Sequence, residues 1–469
     1  MLDQSFSAHN FEIIYSLESR KGNIDVKTMP DGYRKVIAQG EIIKKEISFL
    51  KVKKERTIEE TKLLDTKISE LKELAESKKI ILQDYLEQLE KQVNSHGFKF
   101  SLNKFLTDND KEVFTLNVAS HAHLFAIKQL QYNISHTFKV KQANRHSILA
   151  NVKTFLNSEI PVYVIRTDIS GFYESIPQDR LMSIIFGNTL LSQKSKAFIQ
   201  GIINEYEKIK DTTLVPVSHG VPRGIGISSY LSELYMREID ANIVGREEVL
   251  FYARYVDDIF IILSTLPAGI SLKQYYADLT AFFQSFGLFL KQQDDVSGKC
   301  KILDFTAENN SLQTANYLGY CLYMNRQAKK LTTSFGLSKA KKEKYHTKID
   351  NAIAHFNSFS KYNVKQAYRD LLDSLNMISG NFKLFKSKNN VKVGIYYNND
   401  LLDCMGDLDD LTQYLYDSSI EPYTGLKDCA NVKSKITKRI EKIDFKQRWK
   451  EHKMYAFSLQ RIREMEEWL

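Results

Sequence analysis

The sequence predicts an α+β chain whose central strands carry acidic residues and whose two flanks are helical. Three observations carry that expectation. Short runs rich in β-branched and aromatic residues, VYVIRTDI (162–169), FYARYV and IFIIL, cluster in the middle of the chain. Between Gly40 and Gly97 there is no glycine or proline, and Lys, Glu, Leu and Ile dominate. After about residue 330 the pattern is mainly helical and very basic. A chain of 469 residues is too long for one ordinary domain. The expected division is 1–98, a helical N-terminal extension; 99–330, a mixed α/β centre; and 331–469, a mostly helical C-terminal region.

Taken in order, Leu64, Ile68, Leu71, Ala75, Leu82, Leu86, Leu89 and Val93 fall near a 3.5-residue spacing broken at Lys78. This predicts a long helix or helical hairpin, either packed on its own domain or serving as an oligomerisation or RNA-clamping arm. KVKQANRHSILANVKTFL places Ile148, Val152 and Phe155 on one helical face, with Arg145 near its start. A strand over 162–169 is followed by a turn and FYESI, then by a helical patch over 178–210 and a turn at HGVPRGIG (219–226). The helix SSYLSELYMREID buries Leu231, Leu234, Tyr235 and Ile239 at i, i+3, i+4 and i+8. The two β-runs then meet at Asp257-Asp258, and a further strand is expected at VKVGIYYN (391–398).

Composition narrows the function classes. Hydrophobic residues make up 43%, enough for real cores, and a net charge of +9 favours a polyanionic partner. Cys300, Cys321, Cys404 and Cys429 form no CxxC pair, which argues against a zinc knuckle or disulfide framework and for a reducing, cytoplasmic setting. The N-terminal residues show no basic stretch followed by an apolar core, so no secretory signal is read. No uncharged apolar run reaches spanning length; the most apolar, Phe251 to Leu263, carries Arg254 and two aspartates, so a soluble protein with no membrane partner is expected.

Adjacent aspartates between strand-forming runs are the sharpest signal. A strand interior disfavours Asp, and unpaired buried carboxylates are costly. Successive side chains on an extended backbone face opposite ways, so the pair belongs at or beside a hairpin turn. Clustered carboxylates become favourable when divalent cations offset their charge, and Asp168 ends another β-run in the same way. Three carboxylates from neighbouring strands suit two-metal phosphoryl transfer, with Mg2+ as the ion and Mn2+ as a substitute. Alone, Tyr-x-Asp-Asp is weak, since it arises by chance in roughly one chain in twenty of this length.

It does not stand alone. DISGFYESI, HGVPRGIGISS, YARYVDDI and ANYLGYCLYM resemble, in order and spacing, the A, B, C and E motifs of the reverse transcriptase palm. The resemblance covers about residues 115–325. It implies a right-hand polymerase, with fingers and palm within 99–330 and a thumb-like region within 331–469. It further implies an RNA template, a DNA product, deoxynucleoside triphosphates and two Mg2+ ions. Asp168, Asp257 and Asp258 match the metal ligands, and the backbone carbonyl of Ile169 is implied as a further one. Tyr173 falls where the family keeps an aromatic beneath the sugar, which implies exclusion of a 2′-hydroxyl. Val221, Pro222, Arg223, Gly224 and Ser228 match the motif that packs on the incoming base and template; many members carry Gln where this chain has Arg223. Tyr317, Leu318 and Gly319 match the primer grip. GLFLKQQDDVSGKCKIL occupies the place of motif D, where Lys299 and Lys301 both qualify as the lysine that protonates pyrophosphate. Lys128 and Arg145 are the fingers residues expected to contact the triphosphate.

KVKQANRHSI, FYESI, GIYYN (Gly394 to Asn398) and SLQRIREMEEWL resemble the abortive-infection and antiphage-defence reverse transcriptases of bacteria. The NAxxH and VTG elements of retron enzymes are missing, as is a Cys/His endonuclease cluster. That resemblance implies DNA synthesis against phage, an associated non-coding RNA and a homo-oligomer. Two other readings stay open: template-independent, even protein-primed, nucleotidyl transfer on the same palm, and a non-catalytic RNA-binding scaffold.

Overall fold

A computed structural model describes residues 3–53, 57–107, 111–117, 120–293, 298–384, 391–418, 420 and 429–469. The chain divides into two compact units, Met1–Gln142 with Phe172–Arg237 and Ala143–Gly171 with Glu238–Leu469.

The first unit opens with α1 (Ala8–Lys21), whose Ser7 hydroxyl caps the N-terminus and whose C-terminus closes on Gly22 at φ 77. A 3-10 turn (Val26–Thr28) leads to α2 (Asp31–Val52) and α3 (Ile58–Asn94). A capping box between Thr57 and Glu60 starts α3. The long apolar seam of α3 serves two sets of partners. Its first half buries Leu64 with Ile47 and Leu50 of α2, flanked by Ile43, Ile68 and Leu71. Its second half buries Leu86, Leu89 and Val93, where α3 packs on α1 and α4 (His121–Phe138). Lys78, where the spacing breaks, lies over the Tyr33 ring at 5.4 Å. Between these helices and α4 come antiparallel β1 (Leu102–Leu106) and β2 (Glu112–Leu116).

The chain then enters the second unit for α5 (Arg145–Phe155) and β3 (Val162–Ser170). It returns to the first for α6 (Phe172–Ser175), α7 (Gln178–Gly187), α8 (Gln193–Ile209) and the start of α9 (Gly226–Val244). The single helical patch read over 178–210 is broken because the Asn188 side chain accepts from the backbone N–H of Leu190 and Leu191, and Ser192 caps a new helix. FYESI is largely a one-turn helix, α6.

The second unit continues with β4 (Val249–Tyr255), β5 (Asp258–Leu263), α10 (Leu272–Ser285), β6 (Phe289–Leu290) and β7 (Lys301–Phe305). With β3 these strands form one antiparallel sheet, in which β5 lies between β4 and β3, and β6 and β7 share the other edge of β3. A second sheet follows from β8 (Gln313–Tyr317), β9 (Tyr320–Gln327) and β10 (Lys330–Leu337). Strand β10 runs across residue 330, so the helical pattern begins only at α11 (Lys339–Phe359) and α12 (Val364–Ser379). Then come β11 (Asn381–Lys383), β12 (Lys392–Gly394), α13 (Gly406–Asp417), α14 (Cys429–Ile440), α15 (Phe445–Lys450), β13 (Met454–Tyr455) and α16 (Leu459–Glu466). The strand expected over 391–398 is only Lys392–Gly394, ended where Gly394 takes φ 129 against the backbone of Gly380 and Asn381.

Strand periodicity aims the sheet. Val162 and Val164 of β3, Phe260 and Ile262 of β5 and Ala253 of β4 join one core with α5, the β8–β10 sheet and the C-terminal helices. Arg166 and Asp168 follow Val164 at steps of two, and Asp258 precedes Phe260 by two, so these charged residues extend the same face. Thr167 faces the other way, its hydroxyl 2.7 Å from Tyr276 of α10.

Candidate active site

Antiparallel pairing puts Asp168 directly opposite Asp258, with Arg166 opposite Phe260. Tyr255 pairs with Asp258 on the other side, so Val256 and Asp257 are the two turn residues of the β4–β5 hairpin. The turn is strained: Val256 holds φ 60, a left-handed conformation that costs a β-branched residue roughly 1–2 kcal/mol. Two bonds hold it. Arg254 Nη1 donates to the Val256 carbonyl at 2.8 Å, and the Ile169 N–H donates to the Asp257 carbonyl at 3.0 Å. Arg254 is itself anchored on Asp240, at 3.0 Å through Nε and 2.8 Å through Nη2, and the Tyr252 hydroxyl donates to the same carboxylate at 2.7 Å.

Charge around the aspartates is balanced by two basic side chains. Lys299 Nζ lies 2.8 Å from Asp168 Oδ1. Arg166 donates to Asp258 from one amino group and to the backbone carbonyl of Lys299 from the other. Burial pushes the Asp258 carboxyl up to about 6; Arg166 and Lys299 oppose that rise, while Asp168 and Asp257 reinforce it. Tyr317 packs on Phe260 with ring centroids 4.9 Å apart, its buried hydroxyl without a hydrogen-bond partner. Burial holds that phenol far above its usual range, with Asp258 adding to the rise.

Among the described residues no group of three or more His, Cys, Asp or Glu side chains converges as a protein-only metal cage does. The donor chemistry nonetheless fits magnesium, a hard ion that binds through one or two carboxylates while substrate phosphates and water complete its shell. Lys299 and Arg166 show that Asp168 and Asp258 each accept a cation.

Tyr173, Arg223 and Gly224 all lie in the first unit. The Arg223 guanidinium stands 5.5 Å over the Tyr173 ring and pairs with Glu174, Nε 3.0 Å from Oε1 and Nη2 3.1 Å from Oε2. The Val221 N–H donates to the Tyr173 carbonyl at 2.8 Å, and the Phe114 N–H to the Arg223 carbonyl at 2.7 Å. Gly224 is required there: at φ 104, a Cβ would meet Phe114 O at 2.6 Å. The Ser228 hydroxyl donates to the Pro222 carbonyl at 2.6 Å.

The two basic residues expected near a triphosphate each have a partner within the protein. Lys128 Nζ is 3.3 Å from buried Glu18. Burial raises the Glu18 carboxyl, but Lys21, Asn23 and Lys128 outweigh it and hold the group below the usual range. Arg145 falls in the second unit, where Nε donates to the Leu318 carbonyl at 2.9 Å and the guanidinium lies 5.5 Å from the Tyr320 ring centroid. Leu318 and Gly319, at φ 45 and 79, form the tight turn between β8 and β9. Of the motif D segment, residues 294–297 lie outside the described ones; Lys299 is brought to Asp168 and Lys301 is exposed.

Arg166 and Arg254 were missed by the sequence reading. The available signal was a charge inside each apolar β-run, two residues before Asp168 and three before Asp257, which is costly unless paired.

In the second unit's sheet Asp168 stands opposite Asp258 beside a hairpin turn, and in the first unit a glycine-bearing loop precedes α9. Residues 115–322 match the family described as reverse transcriptase (RNA-dependent DNA polymerase). Those residues therefore form a reverse transcriptase domain, in a fold of mixed helices and sheets.

No curated protein matches the chain. Similar solved structures include telomerase from Candida albicans in complex with a fragment of telomeric RNA, at 10% identity and TM-score 0.33, covering 73% of this chain and 63% of that one. Apo telomerase from Candida tropicalis truncated from its C-terminal domain gives 15%, 0.35, 52% and 56%. Apo telomerase from the same organism gives 13%, 0.35, 79% and 62%. The chain thus spans less than two thirds of the length of each.

Proposed function

We propose that the chain is an RNA-directed DNA polymerase that adds deoxynucleotides to a 3′-hydroxyl. The observation that carries this reading is the cross-strand pairing of Asp168 with Asp258 beside the turn bearing Asp257, inside a reverse transcriptase domain. Asp168, Asp257, Asp258 and the Ile169 carbonyl would hold two magnesium ions, with manganese as a substitute. Bound there, the metal lowers the pKa of the attacking hydroxyl and steadies the leaving pyrophosphate. Tyr173 supports the sugar and excludes a 2′-hydroxyl, and Arg223 and Gly224 border the incoming nucleotide.

A nucleic-acid partner is supported by a cavity of 240 Å³ that Lys341, Lys344 and Lys348 line together with Ile378, Phe382 and Val393. Burial, with Arg145 adding to it, brings the Lys341 ammonium down to about 7, so an anion at that place would restore its charge. Binding there is salt-sensitive.

The motif resemblance supports a role in bacterial antiphage defence, in the cytoplasm, with a non-coding RNA as template. Among the described residues no helix is long and apolar enough to cross a membrane. Exposed Ile42, Phe49, Val52 and Ile58 on α2 and α3 support a homo-oligomer. The functional division proposed is an N-terminal extension over 1–98, fingers and palm over 99–330, and a thumb-like region over 331–469.

The test is incorporation of labelled deoxynucleotides by purified protein with its co-purifying RNA, beside Asp257→Asn/Asp258→Asn. A magnesium-dependent ladder that vanishes in the variant and after ribonuclease supports the proposal. A ladder indifferent to ribonuclease overturns the RNA-templated part, and one indifferent to the variant overturns the site.

A further inference from the structure

Two carboxylates of the site already carry a cation supplied by the chain, and the two cations differ in how firmly they are held. Arg166 is 5% exposed and bonds both Asp258 and the Lys299 carbonyl. Removing it from Asp258 would strand a buried charge, a change that ordinarily costs several kcal/mol. The Lys299 side chain is 43% exposed, and its ammonium reaches Asp168 at 2.8 Å on a flexible four-carbon stem. Gly298 beside it holds φ 60, and a Cβ added there would meet no described residue within 4 Å. The exposed ammonium itself goes to water at small cost, and the buried Asp168 carboxylate that it leaves then needs another cation in its place. Arg166 therefore fixes the backbone of residue 299, while the ammonium at the end of that side chain stays free to swing away.

We propose that Lys299 is a resident counter-ion of Asp168, seated by the hold of Arg166 on its carbonyl, which a divalent cation displaces on binding while Arg166 remains on Asp258. The proposal rests on the metal-dependent polymerase reading. It explains why the carboxylates do not converge: each paired one is turned toward its own cation. In this arrangement Lys299 protects a buried carboxylate from remaining uncompensated when no metal is present, and it makes metal affinity weaker than the carboxylates alone would give. Ion loading is then an exchange of one cation for another at Asp168.

The test titrates Mn2+ into metal-free, full-length protein without nucleotide or nucleic acid, reading free Mn2+ by electron paramagnetic resonance. Lys299→Met and Lys299→Gln should each bind Mn2+ about tenfold more tightly than wild type, the equivalent of about 1.4 kcal/mol. Lys273→Met, which removes an exposed lysine on α10, should stay within about twofold of wild type and so controls for net charge. Asp168→Asn should abolish the tight site in both backgrounds. Circular dichroism confirms that each variant is folded, and the two Lys299 variants guard against a defect peculiar to one of them. If Mn2+ binds through Asp168 but neither Lys299 variant gains affinity beyond the Lys273 control, the exchange is wrong and the polymerase reading stands. If wild type binds no Mn2+ and Asp168→Asn changes nothing, both fall together.

Discussion

Arg254 donates to the carbonyl of Val256 at 2.8 Å, and through that bond a buried arginine supports the turn that carries Asp257. The far side of the guanidinium is paired with Asp240. Breaking a buried pair from one side costs about 3–5 kcal/mol, since the remaining charge is uncompensated. Arg254→Met should therefore lower the urea midpoint strongly, and Asp240→Asn should reproduce much of the loss. The double variant should fall well short of the sum of the two, and full additivity would show that the residues do not act as one support.

Val256 offers the opposite experiment. Asn adopts left-handed backbone at less cost than a β-branched residue, so Val256→Asn should raise stability by about 0.5–1 kcal/mol in chemical denaturation. An unchanged or lower midpoint would mean that contacts of the valine side chain outweigh its backbone strain.

Asp258 links stability to pH. Its folded-state pKa of about 6 lies above the ordinary 3.8, so between those values the folded protein holds a proton that the unfolded chain has released. The stabilising contribution of this group is complete below about pH 3.8 and is lost as pH rises to 6. At pH 7.5 the metal-free site bears the full cost, on the order of 1–3 kcal/mol. Added Mg2+ should accordingly raise the melting temperature more at pH 7.5 than at pH 5. Asp258→Asn should remove most of that difference; a pH-independent shift in wild type would contradict the assignment.

Two glycines with positive φ should respond differently to alanine. At Gly224 the new Cβ would lie 2.6 Å from Phe114 O and 2.7 Å from Val113 Cγ1, whereas at Gly269 nothing lies within 4 Å. Gly269→Ala should cost only the backbone term, about 1–2 kcal/mol. Gly224→Ala should cost about 3 kcal/mol or more, measurable as a lower melting temperature. Equal losses would mean that the loop before α9 yields without resistance.

Tyr173 is covered by Arg223, so shortening the aromatic should open space where the sugar is proposed to sit. Tyr173→Ala should increase ribonucleotide use relative to deoxynucleotide use by about tenfold, read from single-nucleotide incorporation. Arg223→Gln should restore the side chain common in the family while losing the pair with Glu174; retained sugar discrimination would place the gate on Tyr173 alone.

Local chemistry carries over from sequence to structure where it is self-contained. Asp257 and Asp258 are legible because carboxylates between strand-forming runs belong at or beside a turn, and the hairpin places Asp257 in the turn and Asp258 at the start of β5. The helix from Gly226 is legible because Leu231, Leu234, Tyr235 and Ile239 repeat at helical spacing, and all four are buried. The seam of α3 was visible, but its division between α2 on one half and α1 and α4 on the other was not, since an apolar stripe does not name its partner. Arg145 shows a similar limit: its position at a helix start was legible, but its hydrogen bond to the Leu318 carbonyl, 173 residues away, was not.

By itself, the sequence determined which residues are strand, turn and helix around the aspartates, because side-chain alternation and turn chemistry act over a few neighbouring positions. Only the tertiary structure decided which cation each carboxylate holds. Asp168 meets Lys299 across 131 residues and Asp258 meets Arg166 across 92, and no local rule reaches that far. A buried charge is stable only when a partner is delivered to it, and delivery depends on how β3, β5 and the loop before β7 come together.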